Sequence, residues 1–100
     1  MLEYIEIGKR EGARLLAGGN RMTGAGYDKG FFVEPAVFGN VKADMRIAQE
    51  EIFGPVLAII PVADFEEAMR VANDVRFGLS AAICTQDISR AMEFVDRIEA

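Results

Sequence analysis

Residues 56–99 read VLAIIPVADFEEAMRVANDVRFGLSAAICTQDISRAMEFVDRIE, and this stretch decides the fold. Its apolar start, 56–62, is the kind of run carried by a strand covered on both faces. Asp64 follows as a helix cap with Glu67 at the third helical position, a variant of the capping box. Phe65, Ala68, Met69, Ala72 and Val75 then fall on one helical face. Residues 79–84 read as a second strand, and Asp87 caps a second helix with Ile88, Ala91, Met92, Val95 and Ile98 on one face. The Ala-Met pairs 68–69 and 91–92 stand at the same offset from their caps. Strand, helix, strand, helix predicts a βαβ crossover with parallel strands. The expected class is α/β, a mostly parallel sheet with flanking helices and the βαβ unit in the second half. Strands apolar throughout need helices on both faces, more than this chain owns, and the last helix reaches Ala100 without a Gly or Pro stop. The chain, 1–100, is therefore expected to be a fragment of one larger domain.

Working outward, the first twelve residues carry a weak helical period through Leu2 and Ile5, and Gly12 reads as a helix stop. Residues 13–17 form a short strand closed by Gly18-Gly19, and 20–30 is a polar, glycine-containing loop. Residues 31–38 are aromatic and β-branched, but Pro35 lacks an amide donor, which places that strand at an edge or in irregular pairing. Asp44 is positioned to cap a short helical turn over 45–48.

The composition narrows the chemistry. One hundred residues, 51% of them hydrophobic, build a packed core and not a disordered tail. A net charge of −5, with no basic cluster longer than Lys9-Arg10, argues against nucleic acid and against an anionic membrane surface. The longest apolar run, 56–63, falls far short of the roughly 20 residues of a spanning helix. With no leader-like opening and a single cysteine, Cys84, the expected compartment is the cytoplasm. There is no histidine. Ser-His-Asp and Cys-His relays and ordinary zinc sites are therefore excluded from these residues, and no metal site is expected.

Few motifs survive inspection. Gly24, Gly26 and Gly30 lack the G-x-G-x-x-G spacing and lead into a strand, whereas a phosphate loop opens a helix. Cys84 sits within an apolar run with no neighbouring cation in sequence, as a buried structural thiol would. Glu66-Glu67 lie in the first turn of a helix, where they complement the macrodipole. The informative segment is Gln49-Glu50-Glu51-Ile52-Phe53-Gly54-Pro55-Val56. Gly-Pro fixes a bend just before a buried strand, so the side chains ahead of it are held at the strand's entrance. Glu51 and Phe53 are two apart and, on extended backbone, share a side. A carboxylate can accept from both hydroxyls of a ribose, and a phenyl ring can lie against a planar heterocycle. On spacing alone, a solvated glutamate pair and a core phenylalanine beside a turn explain the same residues.

Glu50 to Val56, E-E-I-F-G-P-V, resembles the motif that precedes a central strand in the NAD(P)-dependent aldehyde dehydrogenase superfamily. The resemblance extends upstream through Gly30-Phe31-Phe32-Val33-Glu34-Pro35-Ala36-Val37-Phe38 and Met45-Arg46-Ile47-Ala48-Gln49. Downstream it includes Ala72-Asn73 and Phe77-Gly78-Leu79-Ser80-Ala81-Ala82, and the opening residues 8–19 also look like the family's. It implies part of a catalytic domain that oxidises an aldehyde to a carboxylic acid with NAD or NADP. It further implies that Glu51 binds the nicotinamide ribose and that Phe53 packs beside the nicotinamide ring. The family's nucleophilic cysteine, general-base glutamate and oxyanion-hole asparagine find no counterpart among these residues, so no catalytic residue is assigned and the chain alone is expected to be inactive. Cys84 falls where the family has a buried strand. The 27–30 loop, Tyr27-Asp28-Lys29-Gly30, looks most like members acting on semialdehydes such as α-ketoglutarate semialdehyde. A homo-oligomer is expected, and a non-enzymatic α/β assembly module is the rival reading.

Overall fold

The computed structural model describes residues 1–100. The chain falls into two compact units, Met1–Pro61 and Val62–Ala100.

The first unit opens with α1 (Leu2–Arg10), which carries Glu3 in its first turn and Lys9 and Arg10 in its last, complementing the helix dipole. It ends where Gly12 predicts. Gly12 adopts φ +95°, its amide donates to the Lys9 carbonyl at 3.2 Å, and the Ala13 amide donates to the Gly8 carbonyl at 3.0 Å. That pair of bonds is a Schellman stop, and its left-handed residue is almost always glycine. Strand β1 (Arg14–Ala17) pairs antiparallel with β2 (Ala36–Gly39) across an irregularity between Leu15 and Ala17. Helix α2 (Arg46–Gln49) leads into β3 (Val56–Ala58), which pairs parallel with β2 in the register Ala36–Val56, Val37–Leu57, Phe38–Ala58.

The sheet order is thus β1-β2-β3, mixed where a mostly parallel one was expected. Its parallel crossover is β2-α2-β3, one step earlier in the chain than the sequence pattern placed it. Pro35 does not mark an edge strand. It lies just outside β2, whose first residue, Ala36, donates its amide to the Pro55 carbonyl at 2.8 Å, so the strand stands in the centre of the sheet with its ladder intact. The core lies between sheet and helices, with Phe38, Ile5 and Val41 fully buried and Ala36, Met45 and Ile47 around them.

The second unit holds α3 (Phe65–Asn73) and α4 (Ile88–Arg97). Both start as their caps predict. The Asp64 carboxylate accepts from the Glu67 amide at 2.8 Å, while Glu67 reaches back to the Ala63 amide at 2.7 Å. Asp87 accepts from the amides of Ser89 and Arg90 at 2.9 and 3.3 Å. The helices are tied together by Arg97, which donates to both Glu66 oxygens at 2.7 Å and also pairs with Glu93. Asn73 donates to the Arg97 carbonyl at 2.9 Å and accepts from the Glu99 amide at 3.1 Å.

Residues 79–84 form no strand, so the second-half βαβ unit is not completed. A strand needs a partner's amides and carbonyls, and the second unit contains no other strand to supply them. Cys84 is accordingly exposed and not buried. No helix is long and apolar enough to cross a membrane.

Candidate functional site

The segment singled out by sequence links α2 to β3, and it is pinned at both ends. At the α2 end the expected cap, Asp44, makes no such bond. The Glu11 carboxylate, from the end of α1, accepts from the Arg46 amide at 3.0 and 3.4 Å instead. Gln49 closes the turn by donating its side-chain amide to the Ala43 carbonyl at 2.7 Å. At the β3 end the Pro55 carbonyl is held by the Ala36 amide of the central strand. Between these anchors Ile52 is half-buried and packs against the core.

The two consecutive glutamates have opposite surroundings. Glu50 is gripped from two helices: Arg46 donates its Nε and Nη2 to the two carboxylate oxygens at 2.7 and 2.9 Å, and the Tyr4 hydroxyl donates at 2.7 Å. The Arg46 guanidinium also lies 5.6 Å from the centre of the Tyr4 ring, within cation–π range. The hydrogen bond to Glu50 holds the Tyr4 phenol above its ordinary pKa and raises the Arg46 guanidinium above its own. Glu51, by contrast, is exposed, and its carboxylate makes no hydrogen bond or ion pair within the chain.

Phe53 is 93% exposed and sits at φ +53°. The extended backbone assumed in the sequence reading therefore does not hold at Phe53, and strict alternation no longer fixes the ring's direction. Burial still separates the three residues, with Glu51 and Phe53 in solvent and Ile52 between them against the core. A large aromatic residue in the left-handed region costs of order 1–3 kcal/mol, and such strain concentrates where a side chain must be presented to a ligand. A free carboxylate beside an exposed, strained phenyl ring can accept from paired hydroxyls and lie against a flat heterocycle.

Sequence reasoning missed Tyr4, Arg46 and Glu11. The Arg46–Glu50 pair was legible as an i, i+4 spacing of opposite charges. Nothing in the sequence indicates that a tyrosine 46 positions away joins it.

In the second unit a cavity of about 450 Å³ is lined by Phe65, Met69, Ala82, Cys84, Arg90 and Phe94 among others. Its walls are mainly apolar and hold no constellation suited to nucleophilic chemistry.

The comparisons with known proteins bear on the whole chain. Residues 1–100 match the model of the aldehyde dehydrogenase family. An alpha-ketoglutaric semialdehyde dehydrogenase of Bacillus subtilis is 56% identical over 99 residues, 99% of this chain and 20% of the relative. An alpha-ketoglutarate semialdehyde dehydrogenase of Haloferax volcanii is 58% identical over the same shares. The crystal structure of Mycobacterium tuberculosis aldehyde dehydrogenase complexed with NAD+ superposes with a TM-score of 0.90 at 47% identity, covering 97% of this chain and 20% of that one. The chain thus spans about a fifth of the length of the relatives it matches.

Proposed function

The chain belongs to the aldehyde dehydrogenase family, and from that premise we propose that it forms the nicotinamide-ribose part of an NAD(P)-dependent oxidation of an aldehyde to a carboxylic acid. The observation that carries this reading is the contrast between two adjacent glutamates, one saturated by the chain's own donors and one left with its full acceptor capacity in solvent. The free Glu51 carboxylate and the exposed Phe53 ring suit the two halves of the nucleoside, hydroxyls and flat ring. When bound, the dinucleotide supplies the hydride acceptor. Glu51 would accept from the ribose hydroxyls, and Phe53 would limit the tilt of the nicotinamide. The aldehyde we infer is a semialdehyde of the α-ketoglutarate type, supported by two relatives of that name at 56% and 58% identity.

In the complete protein that carries this chain, Glu51→Gln should weaken NAD+ binding about tenfold or more, the scale of a lost charged hydrogen bond. Phe53→Ala should lower kcat more than it weakens binding, because a ring that orients the heterocycle acts chiefly on the reacting geometry. Titration calorimetry with NAD+ and NADP+, together with steady-state kinetics on α-ketoglutarate semialdehyde, measures both. Wild-type affinity and turnover in both variants would overturn the assignment. The 100 residues alone should leave aldehydes unoxidised, since the only thiol, Cys84, lines a largely apolar cavity without a base.

One observation favours the rival reading of a non-enzymatic assembly module. Ile88, Met92 and Val95 of α4 are 75%, 56% and 63% exposed, an apolar stripe left in solvent. A cytoplasmic homo-oligomer reconciles that stripe with the enzymatic reading. Sedimentation combined with turnover separates the two, because a stable oligomer of the complete protein that binds neither NAD+ nor NADP+ fits the module alone.

A further inference from the structure

Glu50 and Glu51 are chemically identical neighbours, and something must decide which of them faces a ligand. The backbone at Glu50 is extended, with φ −109° and ψ 147°. Consecutive side chains on extended backbone diverge to opposite sides. Whatever holds the Glu50 carboxylate toward α1 and α2 therefore sends the Glu51 carboxylate away from them. Three contacts do the holding: the Tyr4 hydroxyl from α1 and the bidentate Arg46 guanidinium from α2, braced in turn against the Tyr4 ring. A second tie from α1, the Glu11 carboxylate on the Arg46 amide, fixes the start of α2. The arrangement joins two segments remote in sequence, 4–11 and 46–50, and ends one residue short of Glu51.

We propose that Tyr4 and Arg46 are positioning residues that clamp Glu50 and thereby select Glu51 as the carboxylate offered to the ribose. The inference rests on the nucleoside reading of Glu51 and adds to it two residues that do not touch the ligand. An exposed i, i+4 ion pair is worth little to stability. The clamp's main effect should therefore appear in cofactor affinity and not in the melting temperature. Without the clamp, the carboxylate at position 50 swings free and the peptide at 51 loses its fixed direction.

A double-mutant cycle in the complete protein tests this, with NAD+ affinity by calorimetry and the thermal midpoint of the free protein as readouts. Tyr4→Phe removes a single hydroxyl from a half-buried ring and keeps the fold, while Arg46→Met removes both donors. Each should weaken NAD+ binding about three- to tenfold when Glu51 is present and add no weakening on a Glu51→Gln background. Their small effects on the midpoint should be the same on both backgrounds. Arg46→Lys, which keeps the charge but not the fork, should fall between Arg46→Met and wild type. Equal weakening on both backgrounds would overturn the clamp, as would unchanged affinity in Tyr4→Phe and Arg46→Met while Glu51→Gln weakens binding. If Glu51→Gln itself binds NAD+ normally, the nucleoside reading fails first and the clamp has nothing to position.

Discussion

The two units obey the same local rules and reach different ends. In the first, Phe38, Ile5 and Val41 are 0%, 1% and 1% exposed, because the central strand β2 has a partner strand on each side and α1 and α2 pack beside it. In the second, α3 and α4 are capped as well as any helix in the chain, yet Met69 is the only buried residue. Caps and periodicity are satisfied within a few residues of themselves, so they build helices wherever the sequence writes them. Burial needs a second layer brought from elsewhere, and only the first unit contains one. The Glu51–Phe53 segment belongs to the first unit, where Ile52 packs against the core and a rigid support can hold a strained residue.

The largest expected effect tests that contrast directly. Phe38→Ala should destabilise the first unit by about 3–5 kcal/mol, the cost of a cavity where a fully buried aromatic stood. Phe94→Ala, on a half-buried ring of α4, should cost clearly less. Denaturant titration of both variants compares them, and equal losses would break the distinction between the units. Next in size is Gly18→Ala. Gly18 has φ +64°, and a Cβ there would stand 1.8 Å from the Pro35 carbonyl oxygen, a backbone atom that cannot step aside cheaply. The conformation alone costs roughly 1–3 kcal/mol for an alanine, and displacing the approach to β2 adds to it. A melting temperature unchanged by Gly18→Ala would mean that this part of the first unit is looser than its packing indicates.

Legibility in the sequence follows the range of the interaction that decides each feature. Gly12, Asp64 and Asp87 are readable because their partners lie within five residues of them. Asp44 misled for the opposite reason: the start of α2 is capped by Glu11, 35 positions away from Arg46. Pro35 suggested an edge strand because its missing donor was counted inside the ladder, and a shift of one residue leaves β2 central. Residues 79–84 have the composition of a strand, but composition cannot supply a pairing partner, and Cys84 is exposed for the same reason. At the site, residue types allowed a nucleoside reading of Glu51 and Phe53 without choosing it over a solvated glutamate and a turn, and the resemblance of E-E-I-F-G-P-V to the family's motif made the choice. The left-handed backbone at Phe53 and the clamp on Glu50 depend on three-dimensional neighbours that no spacing encodes.

Smaller effects sharpen the picture of the second unit, whose helices rest on local bonds. Asp64→Ala and Asp87→Ala should each cost about 1 kcal/mol, the ordinary worth of a helix cap. Far-ultraviolet circular dichroism during thermal melting should show the loss in helix signal. Asp87→Ala should fray α4 more than Asp64→Ala frays α3, since Asp87 satisfies two amides and has no reciprocal glutamate behind it. Equal fraying would show that the apolar contacts of α3 and α4, and not their caps, hold their first turns.

The smallest expected effect is the pH dependence of the α3–α4 tie. The hydrogen bonds from Arg97 hold the Glu66 carboxyl below the usual carboxylate range. A carboxylate whose pKa is lower folded than unfolded contributes stability that is complete above the unfolded value, about pH 4, and lost as pH falls through the folded value. Arg97 stays charged throughout, so acid removes the attraction by neutralising Glu66 alone. The pair is exposed, and solvent and salt screen it, so the shift in thermal midpoint should be slight and should shrink further in about 1 M salt, where the screening length is near 3 Å. Wild type and Glu66→Gln should therefore differ at neutral pH and converge in acid. A difference that persisted unchanged to about pH 2 would mean that Glu66 contributes through packing against α4 and not through its charge, which would leave the two helices joined mainly by the Asn73 bonds.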